Sequence, residues 1–190
     1  MKIKEIKVYE FHELSNESQN QAIEYFANKI DFADFWSREY KNTLDKFCNI
    51  FDVKLRNWNI DNCNYDYRIS SIPDTEISGL KLYKLIQNSF WNSLYSKKTF
   101  YKNGKERKSK ILLEQNDITG FCADYAILKP IYDYIKKPNL EYNYQDLIEL
   151  CLDSFFSYWL DDIKYQYSNE NIKEFIEIND YEFLESGELV

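Results

Sequence analysis

His12 is the only histidine in this chain of 190 residues, and it stands beside Phe11, just ahead of a Ser15 helix cap. Histidine is the usual general base near neutral pH and the commonest catalytic metal ligand. Ser/His/Asp or Cys/His catalysis would have to run through this one side chain; the plainer reading is a histidine that settles a turn. Asn62, Asn64 and Asp66 imitate the alternating start of a calcium loop, but Tyr67 stands where glycine is needed and Pro73 where glutamate is needed. Pro73-Asp74 combined with Glu106-Arg107-Lys108 matches the acid–acid–lysine set of magnesium nucleases, yet a lysine-rich stretch produces such a triplet by chance. Four glycines leave no Gly-rich phosphate loop, which excludes P-loop and Rossmann nucleotide binding. Cys48, Cys63, Cys122 and Cys151 are widely spaced, with no CxxC pair, and read as buried thiols. No catalytic residue, metal ligand or cofactor is implied.

Charge is the stronger signal. The net charge of −8 divides unevenly: residues 1–95 carry 12 basic and 14 acidic side chains, 96–110 carry 7 and 1, 111–140 carry 3 and 4, and 141–190 carry 2 and 13. An acidic surface repels phosphate backbones, so direct nucleic-acid binding is confined to the basic stretch 97–110, if it occurs at all. There Lys97, Lys98, Lys102, Lys105, Arg107, Lys108 and Lys110 surround Phe100 and Tyr101. This stretch has two readings: a solvated hairpin whose lysines guard its edges, or a binding element.

The elements that position these groups are helices first. Tyr142 to Tyr167 reads as one long amphipathic helix, with Ile148, Cys151, Leu152, Phe155, Trp159 and Ile163 on one flank. Asp146, Glu149, Asp153 and Ser157 fall opposite, with Asp161 continuing the acidic run as a solvated face or a docking surface for a basic partner. Asp162 breaks the pattern by falling on the apolar flank, where a carboxylate needs a cation, several donors or a proton. Left exposed at the helix end, or paired with a lysine or arginine, it is structural; buried and unpaired, it is the first candidate for a site.

Residues 2–11 read as a strand, and Ser15 caps a helix that turns Ala22, Ile23, Phe26, Ala27 and Ile30 inward. A second helix, Phe32 to Phe51, aligns Phe32, Trp36, Tyr40, Leu44, Phe47 and Phe51. Strands follow at Asp52–Trp58 and Tyr65–Ile69, and Ile72-Pro73-Asp74 breaks the pattern. A helix is expected from Ser78 to Tyr95, a hairpin over 97–113 turning at Asn103-Gly104, and a helix from Ala123 to Lys136. A short helix, Asn171–Ile178, and a strand or hairpin over Tyr181–Val190 turning at Ser186-Gly187 close the chain. With no repeat and no linker, the expectation is a single α+β domain over 1–190, with a small antiparallel sheet. No apolar run approaches the ~18 residues of a membrane span, and the strand-like start is no signal peptide, so a cytoplasmic protein is expected.

Several motifs resemble a family of uncharacterised phage and prophage proteins. They are Phe11-His12-Glu13-Leu14-Ser15 with Gln19 and Ala22-Ile23, and Thr119-Gly120-Phe121-Cys122-Ala123-Asp124 with Ile127-Leu128-Lys129-Pro130-Ile131 and Lys137-Pro138. Asp146-Leu147 with Asp153, and Ile178-Asn179-Asp180-Tyr181-Glu182-Phe183 ahead of Gly187, complete the set. The resemblance covers nearly the whole chain, but its motifs name no chemistry. It implies a mobile-element accessory protein working inside a bacterium, and some relatives carry an antitoxin-like label. Joined to the acidic last quarter, it leads to the expectation of a non-enzymatic inhibitor of a host nucleic-acid-handling defence system, of anti-CRISPR or anti-restriction type. Asp146, Glu149, Asp153 and Asp161, with Lys105, Arg107 and Lys108, are the expected partner-binding residues. The alternatives are an antitoxin-like partner of a toxin, and an enzyme centred on His12 or Asp162.

Overall fold

The computed structural model describes residues 6–32, 34–70 and 75–190. The fold is mixed α+β, as the element pattern predicts, and the strands among the described residues form three separate two-stranded antiparallel ribbons rather than one sheet. The chain clusters into two compact units. Unit 1 comprises residues 1–37 and 161–190, unit 2 residues 38–160.

Unit 1 closes on the two ends of the chain. Strand β1 (Tyr9–Glu10) pairs antiparallel with β6 (Glu182–Phe183), and a 3-10 turn over Phe11–Glu13 leads to helix α1 (Asn16–Lys29). Of the strand expected over 2–11, the described residues show Tyr9–Glu10 as strand, while residues 2–5 lie outside the described residues. Ser15 caps α1, its side chain accepting from Ser18 N at 3.2 Å, and Ser168 does the same for Asn171 N at the start of α7 (Asn169–Ile178). Phe11, Leu14, Ala22, Ile23, Phe26, Phe32, Ile172, Ile176 and Phe183 form the core of this unit. Trp36, aligned by its spacing with Phe32 and Tyr40, is 49 % exposed where those two are buried.

Unit 2 is built on α6 (Tyr144–Gln166), whose first seventeen residues belong to it. All the predicted inward positions from Ile148 to Trp159 are buried, joined by Tyr144, Leu147 and Phe156. Helix α2 (Asp34–Phe51) supplies Tyr40, which stacks on Trp159 at 4.8 Å, together with Leu44, Phe47 and Phe51. The ribbon of β2 (Val53–Asn59) and β3 (Asn64–Ile69) brings Trp58 and Tyr65 against Phe156. The helix expected over Ser78–Tyr95 divides into α3 (Gly79–Ser89) and a single turn, α4 (Trp91–Leu94). Asn88 and Ser89, which favour helix ends, precede Phe90, whose backbone leaves the helix while its ring packs on Phe51. Tyr95 then opens β4 (Tyr95–Lys102), paired with β5 (Lys105–Gln115). Asn103 and Gly104 both take positive φ (55° and 70°), which is the predicted tight turn.

Helix α5 (Ala123–Lys136) contains Pro130, which has no N–H to offer the carbonyl of Ala126 one turn back. The hydroxyl of Ser154 on α6 donates to that carbonyl at 2.7 Å instead. Ser154→Ala should therefore destabilise the protein by about 1–2 kcal/mol, the cost of an unsatisfied buried carbonyl. Adding Pro130→Ala should recover most of that loss by restoring the helical N–H; urea midpoints of the two single variants and the double variant measure the coupling.

Tyrosine-rich composition has a structural use in unit 2, where phenol groups tie distant chain segments to backbone carbonyls. Tyr144 reaches Phe51 O at 3.0 Å and Tyr134 reaches Gly79 O at 3.0 Å. The Tyr132 hydroxyl is shared between Leu94 O and Asn116 O at 2.9 and 3.0 Å. A tyrosine ring adds apolar area while its hydroxyl satisfies a carbonyl at an element end.

Candidate functional site

Two of the carboxylates on the outer flank of α6 are engaged within unit 2. Asp146 accepts from Asn143 N at 3.0 Å while Asn143 accepts from Asp146 N at 2.9 Å, a reciprocal cap at the start of the helix. Asp153 accepts the Tyr65 hydroxyl at 2.5 Å, and that hydroxyl also faces the Glu149 carbonyl at 3.2 Å. Tyr67 reaches the Gln145 carbonyl at 3.4 Å. Burial, then the bond to Asp153, raises the pKa of Tyr65, and burial followed by the Glu149 charge pushes Tyr67 up to about 12. Both phenols thus remain donors, and the flank is partly covered by the β2–β3 ribbon rather than an open stripe. Of the three carboxylates Glu149 is exposed, and its charge acts on Tyr65 and Tyr67 of the ribbon. Asp161 belongs to unit 1, where it is exposed and 3.4 Å from Lys164.

Asp162 is half-buried and accepts from Gln166 at 3.4 Å, one helical turn on. Among the described residues it is neither buried without a partner nor paired with a lysine or arginine. The buried carboxylate among the described residues is Asp124, only 1 % exposed. Its Oδ2 accepts three successive backbone N–H groups, from Ile118 (2.9 Å), Thr119 (2.7 Å) and Gly120 (2.8 Å). Its Oδ1 accepts the hydroxyls of Thr119 at 2.7 Å and of Thr43 at 3.2 Å. Five donors thus converge on the two carboxyl oxygens of Asp124, in the first turn of α5. The arrangement ties a loop and α2 to α5, and every donor is already used. The only sequence signal for it is the Thr119-Gly120 pair four to five residues ahead of an aspartate.

His12 lines a concavity of about 400 Å³ in unit 1, together with Glu10, Phe11, Ile176, Glu177, Asp180, Tyr181 and Glu182. Its Nδ1 lies 3.4 Å from the Glu10 carboxylate and the side chain is 71 % exposed. Among the described residues no serine or cysteine lines this concavity. Four carboxylates over apolar and aromatic side chains suit a cationic side chain far better than an anionic one. Among the described residues no group of three or more His, Cys, Asp or Glu is placed to hold a metal ion. Asp66, from the calcium-like stretch, pairs with Arg56 at 3.6 Å. Asp74, from the nuclease-like set, lies outside the described residues. The thiols correct a further expectation: Cys151 is buried, but Cys48 and Cys63 are only partly so and Cys122 is exposed, all four being free.

The folded chain also regroups the charge. Unit 1 holds 16 acidic and 6 basic side chains, a balance of −10, whereas unit 2 holds 16 and 18, a balance of +2. In the β4–β5 ribbon the register pairs Phe100 with Arg107 and Lys102 with Lys105, placing these four on one face at the tip. Lys108 falls on the other face, with Thr99, Tyr101 and Glu106. Lys105 and Arg107 are thus brought together, and Lys108 is separated from them.

Compared with known protein families, curated proteins and solved structures, the chain matches none. No helix among the described residues is long and apolar enough to cross a membrane.

Proposed function

We propose that this chain is a protein-binding accessory protein of a phage or prophage that docks on, and blocks, a basic nucleic-acid-handling host protein in the manner of an anti-CRISPR or anti-restriction inhibitor. The observation that supports this reading is the −10 balance of unit 1. Its surface bears Glu170, Glu174, Glu177, Asp180, Glu182, Glu185 and Glu188, all exposed. A groove evolved for phosphates presents cations, and a surface dense in carboxylates competes for them electrostatically. The concavity at Glu177, Asp180 and Glu182 is the natural seat for a lysine or arginine of the partner. Asp161 remains with this surface, while Asp146 and Asp153 serve the fold of unit 2.

The test is phage plating on hosts of known restriction and CRISPR type, with and without the expressed protein. Plating efficiency should rise on at least one such host, and the blocked effector should bind the purified protein directly. The triple variant Glu174→Lys/Glu177→Lys/Glu182→Lys should weaken that binding on the order of a hundredfold, at roughly 1 kcal/mol per exposed contact. No relief on any host, or full relief by the triple variant, would sink the reading. Rescue of growth from a toxic neighbouring gene product, without any relief of defence, would replace it with the antitoxin-like alternative.

A further inference from the structure

We infer that the tip of the β4–β5 ribbon binds single-stranded nucleic acid, with a base stacked on Phe100 and the flanking phosphates held by Lys102, Lys105 and Arg107. The inference stands on unit 2 alone and does not depend on the acidic surface of unit 1.

The tip is the regular part of the ribbon. From Thr99 to Lys102 and from Lys105 to Lys108 the register is unbroken, so cross-strand partners share a face. One face therefore carries Phe100, Lys102, Lys105 and Arg107 with no carboxylate among them. Lys102 and Lys105 are directly opposed, and like charges in that position weaken a ribbon. None of the seven cations of the ribbon takes part in an ion pair among the described residues. A polyanion would relieve this repulsion. Across Tyr95–Gln115 there are seven cations and two carboxylates, and one of those, Glu114, accepts from Thr99 N at 3.2 Å.

The rings choose between polyanions. Phe100 is 43 % exposed and Tyr101, on the opposite face, 75 % exposed. An exposed ring flanked by cations is the stacking platform of single-strand binders, since every unpaired base offers a π-face. Duplex bases are already stacked on one another and offer none to Phe100. The other exposed apolar group of the ribbon, Ile111, Leu112 and Leu113, sits at or beside the bulge. There the Ser109 hydroxyl accepts from Ile111 N and Leu112 N at 3.2 and 2.8 Å, so these aliphatics lie outside the tip register. An anionic membrane would need them to insert; a nucleic-acid strand at the tip does not.

The experiment is fluorescence anisotropy of a dye-labelled oligo-dT of about 20 nucleotides titrated with the full-length protein at low salt. Saturable binding is expected, weakening about 20-fold between 50 and 200 mM salt if three phosphates are neutralised. Lys102→Glu/Lys105→Glu/Arg107→Glu should abolish it. Phe100→Ala should weaken it roughly 5- to 150-fold, the range set by one stacked base, and Phe100→Trp should retain it. All these side chains are exposed, and circular dichroism verifies that each variant is folded. Absence of binding at 50 mM salt overturns the inference, and so does equal binding by wild type and Phe100→Ala. Binding to phosphatidylglycerol vesicles that depends on Ile111 and Leu112, with none to the oligonucleotide, overturns it in favour of a membrane surface.

Discussion

Gly187→Ala is expected to destabilise unit 1 by more than about 3 kcal/mol, enough to leave its closing hairpin unformed. Two effects add. Gly187 has φ +88°, a conformation that costs an L-residue on the order of 1–2 kcal/mol. A Cβ there would also stand 2.2 Å from the carbonyl oxygen of Ser18 and 3.0 Å from its carbon. Those are backbone atoms, and Ser18 cannot simply retreat. Its hydroxyl donates to Glu185 O at 2.7 Å, and its N–H donates to the Ser15 cap at the start of α1. The hairpin it touches carries Phe183 into the core and returns through Leu184 N to Glu188 O at 2.8 Å. Gly104→Ala is the control, because φ is +70° there but nothing lies within 4 Å of a new Cβ. Hydrogen exchange should speed up at Phe183, Leu184 and Val190 in Gly187→Ala and stay unchanged there in Gly104→Ala. If the two substitutions cost the same, close packing against Ser18 contributes nothing.

Ser18 and Gly187 also mark what could be read before the fold was in hand. Features that depend on near neighbours were legible: the Ser15 cap, the Asn103-Gly104 turn, and the inward face of α6. Each rests on residues within a turn or two, where helical or strand period and turn chemistry decide the outcome. Features that join distant residues were not. Unit 1 is assembled from both ends of the chain, and no linker marks its boundaries at residues 37–38 and 160–161, so composition gives no sign of it. Counting charge by sequence segment therefore placed the acidity in the last quarter, whereas the folded chain gathers it with Glu10, Glu13, Glu17 and Glu24 from the start. Asp162 drew attention because helical angle records direction but not where a core stops. Asp153 looked like free surface because Tyr65, which binds it, is 88 residues away, whereas the Asn143 cap of Asp146 is local and was missed. Three of the residues quoted in the sequence motifs fall on structural joints, one local and two between distant segments. Gln19 bonds to Phe11 O and Leu14 O, Pro130 is matched by Ser154, and Gly187 is fitted against Ser18.

Asp124 is the joint whose loss should cost unit 2 most. Asp124→Ala would leave three backbone N–H groups and two hydroxyls around an empty site, and each buried donor left unsatisfied costs about 1–3 kcal/mol. Partial relaxation and water entry reduce the sum, so a loss on the order of 4 kcal/mol is expected, or roughly 10 °C in Tm at this chain length. Asp124→Asn separates shape from charge. It keeps the volume, yet its amide N–H₂ must face donors where an oxygen stood, so it should recover less than half of the loss. Thr43→Val removes one hydroxyl and leaves Thr119 to donate to Oδ1 alone, and should cost only about 1 kcal/mol. Thermal melts rank the three variants, and hydrogen exchange of Ile118, Thr119 and Gly120 amides reports the loop itself. The ranking Ala, then Asn, then Val in decreasing damage is the signature of a carboxyl group both of whose oxygens are needed as acceptors. A ranking in which Asn is harmless would mean that the site needs only an oxygen of the right size. In that case the negative charge at the start of α5 would add nothing to the five hydrogen bonds.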